Sequence, residues 1–159
     1  MKIIKIISGG QTGADIAGLQ AARACNVETG GTAPYGYKTE LGSNILLKTM
    51  YGLTESKSES YIPRTYQNVL HSDMTLWFGR TNSAGFKTTF KAIGMYKKDW
   101  HEVTDRLDIG DLLDWIEWYF GDQKIIINVA GNRKSGNPDI EETVYKYMVE
   151  FLNTSQKQL

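Results

Sequence analysis

The sequence has one cysteine, three prolines and no surplus of charge, and each scarcity closes off a class of protein. Cys25, alone in 159 residues, leaves no disulfide framework and no cysteine-based zinc finger. With no basic or histidine neighbour in sequence, it reads as a small buried hydrophobe rather than a nucleophile. Eighteen Lys and Arg balance eighteen Asp and Glu, so no net field draws the chain toward nucleic acid or a lipid surface. Partners are therefore sought through pockets. No apolar run reaches the about 18–20 residues that span a bilayer. The opening MKIIKII enters a glycine turn rather than a signal-peptide cleavage site. A cytoplasmic protein is expected. His71 and His101 stand apart without metal-ligand spacing, and no metal site is expected from protein side chains alone.

What is present is enough for a core: 41% apolar residues with 11% aromatics support one ligand-binding domain over residues 1–159. The isoleucines 3, 4, 6 and 7 read as a strand covered on both faces, the pattern of a parallel sheet. A helix over 14–24 follows, then a very short strand at 27–29. Residues 30–43, GGTAPYGYKTELGS, are too punctuated for a regular element and read as a loop over a site. Short helices are expected at 44–51 and 64–71, the second started by Pro63, with an exposed polar stretch between them. Strands at 74–78, 100–103 and 125–129 alternate with helices at 86–96, 109–120 and 139–152, Asp108 capping the second of these helices. This alternation predicts an α/β, Rossmann-like three-layer fold with a mostly parallel central sheet. Right-handed crossovers would then gather the loops at 8–15, 30–42, 79–89 and 130–138 on one edge.

The loop Ser8-Gly9-Gly10-Gln11-Thr12-Gly13 follows a strand and opens a helix, with Ser8 in the first glycine position of the dinucleotide fingerprint. Small residues permit close backbone approach, and Gln11, Thr12 and the helix start offer donors to phosphate oxygens. No lysine follows Gly13, which disfavours an ATPase-type P-loop. Asp15 either complements the helix dipole or contacts a sugar hydroxyl or a magnesium ion. Arg64 and Asn68, four apart on one helix face, suit joint contact to a ligand, while Arg64 could equally pair with Glu55 or Glu59. Asp73 is placed to hold Arg64 or to cap backbone groups. Arg133, after the last strand, suits a phosphate clamp. Glu40 and Glu55 are the acid/base or metal candidates of the long crossover.

These segments, taken in order, resemble the family of candidate molybdenum-cofactor carriers, within the nucleotide-binding superfamily that includes the Lonely Guy proteins. The matching segments are IISGGQTGAD, Gly30-Gly31 with Pro34 and Gly36, Glu40 with Gly42, SYIPRTYQNV before Ser72-Asp73, and INVAGNRKS with Pro138. The resemblance implies a Rossmann-like fold, a homo-oligomer, and a ligand edge that adds Gly31, Gly85, Thr88 and Gly131 to the residues above. Its implied ligand is the molybdenum cofactor, a phosphorylated pterin. The PGGxGTxxE signature of the Lonely Guy group has no full match, since Ser83-Ala84-Gly85 with Thr88-Thr89 lacks its acid. The leading expectation is a binder of a nucleotide or phosphorylated pterin, for carriage or sensing, with magnesium as an optional companion. The alternatives are a nucleotide or nucleoside hydrolase, resembling phosphoribohydrolases and using Asp15, Glu40 or Glu55, and a protein-interaction module that keeps only the fold.

Overall fold

A computed structural model describes residues 2–159. In chain order the elements are β1 (Lys2–Ile7), α1 (Ala14–Ala24), β2 (Glu28–Gly30), β3 (Thr32–Ala33), β4 (Lys38–Thr39), β5 (Gly42–Ser43), α2 (Leu46–Thr49), β6 (Thr54–Glu55), α3 (Tyr61–Leu70), β7 (Met74–Phe78), α4 (Ala84–Tyr96), β8 (Asp99–Val103), α5 (Ile109–Phe120), β9 (Lys124–Gly131) and α6 (Ile140–Lys157). Five strands form the central sheet in the order β2-β1-β9-β7-β8, and every pairing in it is parallel.

Strand alternation explains the three layers. On β7 and β9 the side chains of Met74, Leu76, Phe78, Ile125, Ile127 and Val129 enter one core with Ala17 and Ala21 of α1, Leu112 and Ile116 of α5, and Val144, Met148 and Phe151 of α6. The opposite face carries Trp77, edge-on to Phe86 of α4, and a buried pair in which Asn128 Nδ2 donates to Thr75 Oγ1 at 3.2 Å. There Val69 of α3 packs with Ala92 and Ile93 of α4. Gly18 is required on the first face, because a Cβ there would stand 2.6 Å from Val129 Cγ1.

The crossovers from β1 to β2 and from β7 to β8 run in opposite directions along the sheet, with β9 between their starting strands. A crevice therefore opens above the carboxyl end of β9, the place where such sheets bind ligands. Cys25 closes α1 and is buried in the core, where desolvation raises its thiol above the ordinary value.

The sequence reading departs from the structure mainly in the crossover between β2 and β7. Residues 30–43 are not one irregular loop: β3 pairs with β6, β4 with β5, and residues 35–37 form a single 3-10 turn. Backbone pairing of two residues at a time leaves no side-chain period to read. Helix α3 starts at Tyr61, capped by Ser60 Oγ accepting from Ile62 N at 3.2 Å, so Pro63 falls inside the first turn, where a missing N–H removes no helical bond. Helix α2 is shorter than expected, α4 begins two residues earlier, and α6 runs on to Lys157.

Candidate functional site

The loop at 8–13 is sealed by the protein's own acceptors. Gly10 N donates to Ser8 Oγ at 3.1 Å, Gln11 N to Asp15 Oδ2 at 3.2 Å, and Thr12 N to Gln11 Oε1 at 3.0 Å. Gly13 N donates to Glu141 Oε1 at 3.0 Å and Ala14 N to the Asn132 carbonyl at 3.1 Å. The start of α1 thus has an internal carboxylate from α6 where an anionic ligand would otherwise satisfy it. Gly13 holds φ +88°, and a Cβ on it would lie 2.3 Å from the Asn132 carbonyl oxygen.

Behind this loop lies the ion pair of Arg64 Nη1 and Asp15 Oδ2, 3.1 Å apart with both side chains largely buried. Burial pushes the Asp15 carboxyl up, against the Arg64 charge and the backbone donors that favour its ionised form. Arg64 therefore pairs with Asp15 rather than with Glu55 or Glu59. Gly9 is glycine because that guanidinium occupies the space of a Cβ, which would sit 1.7 Å from Nη1. Glu55 is engaged elsewhere, accepting from Gly36 N at 2.7 Å.

Glu40 joins three loops. Its carboxylate accepts from the Thr12 and Ser135 hydroxyls and from Ser135 N at 3.1 Å, while Thr12 Oγ1 accepts from Lys134 N at 3.2 Å. Partial desolvation opposes ionisation of Glu40, but the donors from Ser135 and Thr12, aided by Arg133, outweigh it and hold the carboxyl below its ordinary value.

Between the loops after β1, β7 and β9 is a cavity of ≈ 300 Å³, lined by Gln11, Asp15, Arg64, Arg80, Arg133 and Gly131, with Trp77, Ser83, Gly85 and Thr89 among the other walls. Ser83 caps α4, its Oγ accepting from Phe86 N at 3.2 Å. The N–H groups of Ala84 and Gly85 in that first turn have no acceptor among the described residues. A Cβ on Gly85 would meet nothing nearer than Trp77 at 3.8 Å, so the helix start is open. Gln11 is 5% exposed; its Oε1 accepts from Thr12 N and Glu40 N at 3.0 and 2.9 Å, which leaves its buried Nε2 without a partner beside the cavity.

The chain matches the model of the circularly permutated YpsA SLOG family over residues 6–152. The chain belongs to that family. As a SLOG protein it is also similar to the crystal structure, at 1.45 Å, of a candidate molybdenum carrier protein from Syntrophus aciditrophicus. The two chains are 33% identical, each is covered over 94% of its length, and the TM-score is 0.79. No curated protein sequence matches the chain.

Of the residues singled out in the sequence of this SLOG chain, Gln11, Asp15, Arg64, Gly85, Gly131 and Arg133 meet at the cavity. Ser8, Gly10, Thr12, Gly13 and Glu40 build its frame through the bonds above, and Gly9 leaves the room that the Arg64 guanidinium fills. Gly31, at φ +122°, packs on Ser8, its absent Cβ leaving room for the Ser8 carbonyl. Asn68 holds the Thr32 backbone with both ends of its amide, at 2.8 and 3.0 Å. Thr88 bonds back to the Ala84 carbonyl at 3.1 Å, and Thr89 faces the cavity in its place. Asp73 lies at the opposite end of β7, where Oδ2 accepts from Ile126 N at 2.7 Å; it neither holds Arg64 nor reaches the cavity. Sequence reasoning missed Arg80, Asn132 and Glu141. Asn132 Oδ1 accepts from Arg80 N at 2.7 Å and fixes the turn before α4. Among the described residues no group of three or more His, Cys, Asp or Glu is arranged to hold a metal, and no helix is long and apolar enough to cross a membrane.

Proposed function

We propose that the protein binds a phosphorylated small molecule, a nucleotide or a pterin phosphate of the molybdenum-cofactor kind, in the crevice above β9, for carriage or sensing. The observation that carries this reading is the unpartnered, buried Gln11 Nε2 beside a cavity that also receives the open first turn of α4. A buried donor without an acceptor is costly, and a ligand atom placed there removes the cost. The phosphate goes to Ala84 N, Gly85 N, Arg80 and Arg133 rather than to the sealed loop at 8–13. The residues present fit the phosphate and the polar ring edge of a pterin cofactor. Family membership and the similarity to a candidate molybdenum carrier support the same reading.

Of the acids named for hydrolysis, Asp15 alone borders the cavity, and Arg64 occupies it. Binding therefore ranks above turnover. Magnesium enters as a variable of the test, since a metal held by ligand phosphates needs few protein carboxylates.

The reading covers residues 1–159 as one cytoplasmic ligand-binding domain that assembles into at least a dimer. The exposure of Phe90, Met95, Trp118 and Tyr119 on α4 and α5 supports the assembly. Light scattering that finds only the 17.9 kDa species at all concentrations would reject it. Native mass spectrometry of freshly purified protein, with identification of the released ligand, tests the binding reading. Calorimetric titration with AMP and with a pterin phosphate, with and without magnesium, completes it. Binding of either, lost in Gly85→Asp, is expected; an empty cavity that takes neither would overturn the reading.

A further inference from the structure

One aromatic ring, beside two arginines of the cavity wall, carries three positive charges. Tyr61, the first residue of α3, has Lys38 Nζ 5.3 Å, Arg64 Cζ 5.5 Å and Arg133 Cζ 5.2 Å from its ring centroid. No two of these charges stand further apart than about 11 Å, little beyond the Debye length of roughly 8–10 Å, so their mutual repulsion is only partly screened. The ring offsets part of that cost but neutralises none of it. Only Arg64 has a carboxylate partner. Among the described residues no carboxylate lies within 4 Å of Lys38, Arg80 or Arg133. Glu40, whose charge is felt by Arg133, is turned to Ser135 and Thr12.

A chain with equal numbers of acids and bases has gathered unpaired positive charge at one place. Arg64 and Arg133 belong both to this cluster and to the cavity wall, so the two are continuous. Lys38 and Tyr61, however, come from the crossover and from α3, away from the start of α4. A single phosphate at α4 draws on Arg80 and Arg133 and leaves Lys38 without an anion. We propose that Lys38, Tyr61 and Arg133 form a second anion subsite, and that the ligand carries two linked phosphates rather than one. This rests on the reading of the α4 start as the first anion subsite.

Titration with inorganic orthophosphate and inorganic pyrophosphate, followed by ³¹P NMR at fixed ionic strength, tests the proposal without assuming any organic group. Pyrophosphate is expected to bind about tenfold tighter or more, as a second charge-assisted contact would give. Gly85→Asp should weaken both anions. Lys38→Ala, at an exposed position, should bring the ratio of the two affinities to near one, and Tyr61→Leu should lower it in the same direction. Lys48→Ala, an exposed lysine on α2, should change neither anion. Equal binding of the two anions by the wild type, or a ratio that survives in Lys38→Ala, overturns the second subsite while orthophosphate binding lost in Gly85→Asp keeps the first. Failure of the wild type to bind either anion, or indifference of both to Gly85→Asp, overturns the reading and the proposal together.

Discussion

The turn at residues 8–13 and the turn at residues 79–85 both carry the chain from the carboxyl end of a strand into a helix, and both are rich in glycine and small polar residues. In the first, every backbone N–H from Gly10 to Ala14 already has an acceptor within the protein, two of them carboxylates. In the second, Ser83 takes the N–H of Phe86 and leaves those of Ala84 and Gly85 facing the cavity. A glycine pattern therefore fixes a backbone shape but not an anion site. Whether the donors are free depends on residues elsewhere in the chain, here Glu141 and Asn132.

Substitutions can break this contrast, and the largest expected effect falls on the sealed turn. Gly13→Ala should lose about 3 kcal/mol or more of stability, because φ +88° and a Cβ 2.3 Å from a backbone oxygen leave nowhere to relax. Denaturant unfolding measures it, and a near-neutral result would show that the turn yields easily. Arg64→Met should cost about 3 kcal/mol at neutral pH by leaving Asp15 buried without its partner. The sign of its pH dependence follows from the raised Asp15 carboxyl, which holds its proton more tightly folded than unfolded. The penalty of the ionised form is complete above the raised folded value and disappears as pH falls below the ordinary carboxylate value. The variant's deficit should accordingly shrink in acid, and Asp15→Asn in the same background should remove most of that dependence.

The open turn should respond in binding instead of stability. Gly85→Asp is expected to weaken a phosphorylated ligand about 100-fold, roughly 2.7 kcal/mol, by placing a carboxylate at the helix start. Its melting temperature should hold or rise, since an acid there suits the helix dipole. A parallel loss of stability would erase the distinction between the two turns. The smallest effect is expected from Glu40→Gln, about 1 kcal/mol through weakened bonds to Thr12 and Ser135. The lowered Glu40 carboxyl contributes fully above its ordinary value, and that contribution fades as pH falls through its lower folded value. The gap between wild type and Glu40→Gln, followed by thermal unfolding, should therefore close toward acid.

The framework of the fold was legible because it rests on period. The apolar runs of β1, β7 and β9 and the amphipathic stripes of α1, α5 and α6 repeat over enough residues to be read. The crossover was not, because β3 to β6 are two-residue pairings set by backbone contact. The loops of the candidate site were legible too, since small residues after a buried strand have few other uses. The state of their donors was hidden: Glu141 caps Gly13 across 128 positions, and no local pattern marks a helix acid as the cap of a distant helix. Arg64 was recognised, but its partner was sought nearby in sequence when it lay 49 residues back. Tyr61 stood in a stretch read as exposed and polar, and only three folded segments together give it Lys38, Arg64 and Arg133.

The bond from Gly13 to Glu141 also has a temporal side. Residue 13 leaves the ribosome long before residue 141, and at about 5–20 residues per second the start of α1 waits several seconds for its carboxylate. During that interval the turn above β1 has an unmet donor and α1 lacks the helix α6 it packs against. A nascent chain in which α6 has not yet docked is expected to offer that donor to anions, and to withdraw it when α6 docks.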